Sequence, residues 1–280
     1  MTGFTGKTVL ITGASEGIGR ALALTLASER PRLALNARNA ARLAEAASAC
    51  AALGAQVLEL PGDVSRQEEC AALVARTLAH FGALDVLVNN AGITMWSRFD
   101  RTGDLGVFAQ LLATNYLGPV YLTAAALPAL KAARGLIVAV ASMAGLTGVP
   151  ERSGYAASKH ALVGFFESLR IELAGSGVDV TIVAPDFVVS EIHRRAIGRR
   201  ATARRHSDAR VAPHERRAVC AADPQGHAPA RSAADHLGTR PLRPLGASHR
   251  PGDGGPHRRT CDPRASLTVT RRRLPADPAR

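Results

Sequence analysis

Between residues 199 and 280 the sequence contains no isoleucine, phenylalanine, tyrosine, tryptophan, methionine, asparagine or lysine. Three valines and five leucines are its only large aliphatic side chains, and ten prolines interrupt them. Eight such side chains do not offset an ordering cost of about 1–2 kcal/mol per residue, and each proline removes a backbone donor. A second apolar core is excluded, so residues 199–280 are expected to be a disordered tail. Alanine, arginine, proline and glycine make up 49 of its 82 residues. All four have G/C-rich codons, whereas phenylalanine, tyrosine, isoleucine, methionine, asparagine and lysine have A/T-rich ones. That bias is what G/C-rich DNA yields in an unselected frame, and it points to a frameshift near residues 198–201.

Other absences narrow the class further. Cys50, Cys70, Cys220 and Cys261 form no Cys-x-x-Cys pair and have no histidine at metal-ligand spacing, which excludes a disulfide framework or a zinc site and suits buried thiols in a reducing cytosol. The opening "MTGFTGKTVLITG" lacks a basic start, a long apolar stretch and a cleavage site. No run of about 20 apolar residues spans a bilayer. A cytoplasmic protein without membrane partners is expected.

The net charge of +12 suggests nucleic acid, but its distribution does not. Residues 1–198 hold 17 Lys+Arg against 16 Asp+Glu, whereas residues 199–280 hold 18 arginines against 7 acids. Arginines neutralise phosphates without a fold. In the tail, however, no aromatic residue accompanies them for base stacking, and they are scattered. No nucleic-acid partner is expected.

What is present in the first two-thirds alternates. "KTVLITG", "RLALNAR", "AQVLELPGDV", "LDVLVNNAG", "GLIVAVAS" and "VDVTIVAP" are short apolar runs that read as strands buried on both faces. Between them lie helical stretches; in the first, Ile18, Leu22 and Leu26 form a stripe with four-residue spacing. A long helical stretch covers residues 104–130, with a bend or break expected at Gly118-Pro119, and another covers residues 153–173. Strands alternating with helices predict an α/β fold: a doubly wound, Rossmann-like parallel sheet covered on both faces. Ligands bind such sheets at the carboxyl ends of the strands, near the point where strand order reverses.

The residues at those ends carry the chemistry. "TGASEGIG" places Gly13, Gly17 and Gly19 in the pattern G-x-x-x-G-x-G, with Ser15, Glu16 and Ile18 between and beside them. Glycines there let the backbone approach a pyrophosphate at the positive end of the next helix. Strand two ends in Asn36, Ala37 and Arg38, with no acid to hold a ribose hydroxyl. Arg38 is suited to a ribose 2′-phosphate, or else is a solvated arginine before a helix. NADP(H) is favoured and NAD(H) remains open, because Glu16 repels phosphate if it points inward. Asp63, followed by Val64, either accepts from an adenine amino group or caps a helix. Ser142 follows strand five, and Tyr155 and Lys159 share one helical face downstream. A phenol near pKa 10 is a poor acid-base group at neutral pH. A neighbouring ammonium, with the charge of an oxidised nicotinamide, stabilises its phenolate.

These motifs resemble the short-chain dehydrogenase/reductase family, through "TGASEGIG", "GDV", "NNAG", "S…YAASK" and their spacing over about residues 5–198. The resemblance implies seven parallel strands and hydride transfer between a nicotinamide cofactor and an alcohol/carbonyl pair. It implies that Tyr155 is the general acid/base, that Lys159 lowers its pKa and holds the nicotinamide ribose, and that Ser142 orients the substrate. Asn115 matches a position that anchors a water in the proton relay. Asn90, Ala91 and Gly92 match the segment lining the cofactor, and Pro185, Val188 and Ser190 match a stretch beside its carboxamide. Asp186 replaces the family's usual glycine. The segments "NAGITMWSRFD" and "GVPERSGYAASKHALVGFFESLRIEL" look most like the branch acting on hydrophobic alcohols and ketones. The helices around 107–130 and 153–173 resemble the family's dimer face, so a homodimer is expected. The reading is therefore a catalytic unit over residues 1–198 with a tail that adds no function. The family's last strand and substrate lid are missing from that tail, which is expected to impair turnover.

Overall fold

A computed structural model describes residues 3–186 and 196–197. Six strands form one parallel sheet: β1 (Thr8–Thr12), β2 (Arg32–Ala37), β3 (Gln56–Pro61), β4 (Val86–Asn89), β5 (Leu136–Val140) and β6 (Asp179–Val183), in the order β3-β2-β1-β4-β5-β6. Register runs Thr8↔Arg32 between β1 and β2, Val9↔Val86 between β1 and β4, and Leu136↔Asp179 between β5 and β6. The chain builds one half outward from β1, then crosses back to β4 and builds the other. Strand order therefore reverses between β1 and β4, and a crevice opens at their carboxyl ends.

The apolar runs become strands because both sheet faces are covered. On one face Leu10, Leu60, Leu87 and Ile137 pack against α3 (Gln67–Phe81), α5 (Gly118–Ala133) and α6 (Ser153–Glu172) through Leu73, Leu122, Leu162 and Phe166. On the other, Val9, Ile11, Leu33, Leu35 and Val88 pack against α1 (Gly17–Ala27) and α2 (Ala40–Ala52) through Ala23, Leu26, Leu43, Ala47 and Cys50. Each large side chain fully buried this way contributes about 1.5–3 kcal/mol. The helix ends follow local chemistry. The Asn39 side chain caps α2 by accepting from the Arg42 N–H at 3.0 Å, and α3 stops at Gly82, whose φ is +76°.

The long helical stretch differs from its expected form. It starts as α4 (Gly106–Leu112), widens into a π-helical turn over Ala113–Leu117, and continues as α5 without breaking at Gly118-Pro119. Pro119 lies inside this continuous helical stretch and has no N–H for the carbonyl four residues back. Its ring would crowd the carbonyl four residues back, that of Asn115, and the widened turn lies there. Gly118 packs too closely for a side chain, because a Cβ there would lie 2.7 Å from the Val64 carbonyl oxygen.

After β6 the described chain resumes at Ala196–Ile197, where Ile197 bridges Met95 in parallel. Its N–H donates to the Thr94 carbonyl at 3.0 Å, and its carbonyl accepts from the Trp96 N–H at 2.9 Å. Among the described residues no helix is long and apolar enough to cross a membrane. The expected tail, residues 199–280, lies outside the described residues, as does the place where a seventh strand is expected.

Candidate active site

The strand-end residues converge on one cleft of about 560 Å³ at the switch point. Its floor is the glycine loop. Gly13 and Gly17 have φ of +65° and +58°, the left-handed region that favours glycine. A Cβ at Gly13 would lie 2.9 Å from the Ala91 Cα, and one at Gly19 would lie 2.4 Å from the Gly13 carbonyl oxygen. Gly13, Ser15, Glu16, Gly17 and Ile18 line the cleft, whereas Gly19 packs beneath the loop and lets it close. The Glu16 side chain does not cap α1, so the helix start is presented to an anion. A backbone cradle that no Cβ fits, at an N-terminus without a side-chain cap, suits a pyrophosphate.

Gly19→Ala is expected to destabilise the protein by about 2–3 kcal/mol and to abolish dinucleotide binding. Thermal melting and fluorescence titration with NADPH check it; an unchanged melting temperature with intact binding would contradict the cradle.

Asn90, Ala91 and Gly92 brace this loop from β4. The Asn90 side-chain amide donates to the Thr12 and Gly13 carbonyls at 2.8 and 3.3 Å, and the Asn90 and Ala91 N–H groups both donate to Thr12 Oγ1 at 3.0 Å. The sequence reading did not single out Thr12, whose buried hydroxyl ties β1 to β4. Its only signal is a β-branched hydroxyl in the last position of a buried strand.

At the far end of the cleft Arg38 is exposed beyond β2, while Glu16 pairs with Arg42 at 3.3 Å. The Asn36 side chain is buried and donates to the Leu60 and Gly62 carbonyls at 2.9 and 3.1 Å. Asp63 lines the cleft, and its carboxylate accepts from the Ser65 N–H at 2.9 Å while its own N–H donates to Glu69 at 2.6 Å. The Asp63 carboxylate therefore stabilises the turn leading into α3 and faces the cleft at once. Val64 follows, and its carbonyl accepts from Cys70 Sγ at 3.2 Å. Burial and then nearby acids push the Cys70 thiol up to about 12, an inert group.

Ser142, Tyr155 and Lys159 line the near end, and Asn115 is buried outside the cleft lining. Ser142 begins a short 3₁₀ turn after β5, and its hydroxyl accepts from the Ala144 N–H at 3.2 Å. Tyr155 and Lys159 face the cleft from the first two turns of α6. Lys159 Nζ donates to the Val140 carbonyl at 2.8 Å, and a Cβ on Gly92 would come within 3.8 Å of it. Asn115, in the widened turn, is fully buried. Its side chain accepts from the Ile93 N–H at 2.8 Å and donates to the Ile93 carbonyl and to Ser158 Oγ, both at 2.9 Å. Ser158, another residue the sequence reading missed, passes the contact on by donating to the Tyr155 carbonyl at 2.8 Å. The Asn115 amide is thus committed to protein partners, but Pro119, four residues on, has no N–H to offer its backbone carbonyl.

Burial dominates the electrostatics of the pair. Burial pushes the Tyr155 pKa above its ordinary value; a hydrogen bond with Ser142 and then the charge of Arg152 pull it back in part. Burial lowers Lys159 to about 8. Pro185 closes the cleft after β6, its carbonyl accepting from the Met143 N–H at 3.1 Å. Asp186 beside it does not adopt a positive φ, so the aspartate in place of glycine imposes no left-handed strain. Val188 and Ser190 lie outside the described residues.

Comparison with known proteins agrees with this geometry. The family model described as short chain dehydrogenase matches residues 7–199. The chain is 47% identical over 188 residues to 11-beta-hydroxysteroid dehydrogenase 1A of Arabidopsis thaliana, covering 67% of this chain and 54% of that protein. It is 40% identical over 190 residues to an 11-beta-hydroxysteroid dehydrogenase of Pinus massoniana, covering 68% of this chain and 53% of that one. A short chain dehydrogenase/reductase from Burkholderia phymatum, solved in complex with NAD, superimposes with a TM-score of 0.67 at 30% identity over 79% of this chain and 78% of that chain. The chain belongs to the short-chain dehydrogenase family. It spans about half the length of the curated relatives it matches.

Proposed function

We propose that the protein is an NADP(H)-dependent oxidoreductase interconverting an alcohol and a ketone or aldehyde, with Tyr155 as general acid/base. The observation that carries this reading is the meeting of Ser142, Tyr155 and Lys159 with the glycine cradle in one cleft. When bound, the nicotinamide cofactor donates or accepts hydride at the carbonyl carbon. Tyr155 gives its phenolic proton to the carbonyl oxygen in reduction and takes it back in oxidation. Ser142 holds the same oxygen in line. Lys159 holds the ribose and favours the Tyr155 phenolate, and the Asn115 backbone carbonyl anchors a water through which the proton is replaced. The backbone of Gly13, Ser15, Glu16, Gly17 and Ile18 would hold the pyrophosphate, Asp63 and Val64 the adenine, and Asn90, Ala91, Gly92 and Pro185 the nicotinamide end. Consumption of NADPH by a panel of ketones, followed at 340 nm, tests the activity. Cofactor binding without turnover on any of them would point to an inert nucleotide-binding protein.

NADP(H) is favoured over NAD(H) because Arg38 is the group at the end of β2 and Glu16, the acid nearby, pairs with Arg42. Arg38→Ala is expected to weaken NADPH binding about 10- to 100-fold and NADH binding less than about threefold, both read by fluorescence titration. Equal losses would overturn the preference.

The substrate is a hydrophobic alcohol or ketone. Ile93, Trp96, Met143, Val149 and Pro150 line the cleft, and Met143 is 42% exposed. The relatives named hydroxysteroid dehydrogenases make a hydroxysteroid the first compound to try. Buried Cys50 and Cys70 suit the cytosol. Leu112 and Ile171, 39% and 64% exposed on α4 and α6, suit a homodimer through those helices; a monomer in sedimentation would refute it. The catalytic unit ends near residue 198, where the family match also ends, and residues 199–280 add no function. Translating the nucleotides around codons 195–205 in three frames tests this; no apolar strand in another frame would refute the frameshift.

A further inference from the structure

Glu151 has a φ of +64°, although it is not glycine. A side chain held in that region costs on the order of 1 kcal/mol and persists only where its surroundings impose it. Here both ends of the residue are engaged. Its carbonyl accepts from the Ser97 N–H at 2.9 Å, and its carboxylate accepts from the Trp96 indole N–H. The Trp96 backbone is fixed as well, by the Ile197 carbonyl. The indole is thereby held as a platform, and the Arg152 guanidinium carbon lies 4.3 Å from its ring centroid. The same carbon lies 5.9 Å from the Tyr155 ring centroid, as near as Lys159 Nζ at 6.0 Å. Arg152 is only 6% exposed.

We propose that Arg152, stacked on Trp96 and pinned through Glu151, is a positioning residue that stabilises the Tyr155 phenolate and sets the pH at which proton transfer begins. It rests on Tyr155 being the acid/base of the reaction. Charged and titratable groups reach Tyr155 from few directions among the described residues. Arg152 approaches from the residue just before α6, and Lys159 from the helix itself. Ser142 offers a neutral hydroxyl, and Asn115, behind Ser158, a neutral amide. Met95, Val107, Leu111 and Ala144 pack its apolar side. The Glu151 carboxylate is taken by the indole, and Asp186 lies in the same cleft after β6. Two cations therefore flank one phenol, and Arg152 keeps its charge at every working pH.

The sign follows directly. Removing the cation disfavours the phenolate, so the ionisation of Tyr155 moves up. Alcohol oxidation, which needs the phenolate, then begins at higher pH, and ketone reduction, which needs the phenol, persists to higher pH.

The test is a set of pH profiles of kcat/KM in both directions for wild type, Arg152→Gln, Arg152→Lys and Trp96→Phe. Tyrosinate absorbance of the cofactor-free proteins, with Tyr155→Phe as the difference reference, is titrated alongside. Arg152→Gln is expected to raise the ionisation by about one pH unit. Arg152→Lys, which keeps the charge, is expected to recover about half of that shift, and Trp96→Phe to show a smaller shift in the same direction. A folded Arg152→Gln whose ionisation stays within about 0.2 unit of wild type would overturn the proposal. If Arg152→Gln does not fold, an unmoved Trp96→Phe overturns it equally. Wild-type turnover in Tyr155→Phe would instead remove the acid/base reading, and the tyrosinate titration still decides whether Arg152 acts on the phenol.

Discussion

Tyr155→Phe is expected to lower turnover by about 10³-fold or more while leaving NADPH affinity within about threefold. The ring is 8% exposed and packs with Met95, Val107, Leu111 and Ala144, and phenylalanine keeps all of those contacts. What is lost is the hydroxyl: the hydrogen bond with Ser142 and the exchangeable proton. The lost hydrogen bond is worth about 1 kcal/mol, offset by no longer burying a polar group, so the melting temperature is expected to change little. Steady-state rates at 340 nm, cofactor titration and a thermal melt separate these effects. A variant that retains most of its rate would show that another group moves the proton.

Lys159→Met is expected to act in opposite directions on activity and stability. Turnover is expected to fall about 10²-fold or more, because the ammonium proposed to favour the phenolate and hold the ribose is gone. Stability rises. Burial lowers the lysine from 10.5 to about 8, and that difference is worth on the order of 3 kcal/mol. Below pH 8 the folded protein holds a proton on a buried amine and bears the whole penalty. Between about 8 and 10.5 the unfolded chain binds more protons, so wild-type stability increases with pH until the penalty disappears. The Val140 carbonyl loses its donor in the variant, which costs about 1 kcal/mol. The net gain is therefore about 1–2 kcal/mol at pH 7, shrinking as pH rises toward 10.5, measured by denaturant unfolding at several pH values. A lower stability at pH 7 would mean that the amine's contacts outweigh its desolvation.

The sequence disclosed what depends on local pattern. Each of the six apolar runs became a strand because both sheet faces are covered, and residues just past those strands met in the cleft. Contacts that span long stretches of chain could not be read this way. Thr12 is tied to Asn90 across 78 residues, and Asn115 to Ser158 across 43. Nothing in either residue's neighbourhood marks the partner. The bend or break expected at the Gly118-Pro119 pair takes the form of a widened turn at Ala113–Leu117, because proline's effect reaches back one turn to the carbonyl it crowds. Arg152 appeared only as part of a motif stretch before the tyrosine. Its stacking on Trp96 depends on the backbone of Glu151 and on the far-removed Ile197. Burial raises the Tyr155 phenol, and the Ser142 hydrogen bond and the Arg152 charge pull it back in part; none of these is marked in the Tyr-x-x-x-Lys pattern itself.

The most direct measurement is a crystal structure of the protein with NADP(H) and a ketone or its alcohol. The account predicts pyrophosphate density over Gly13–Gly17 and the Tyr155 hydroxyl within about 3 Å of the substrate oxygen. A dinucleotide bound elsewhere, or a phenol turned away from that oxygen, would contradict it.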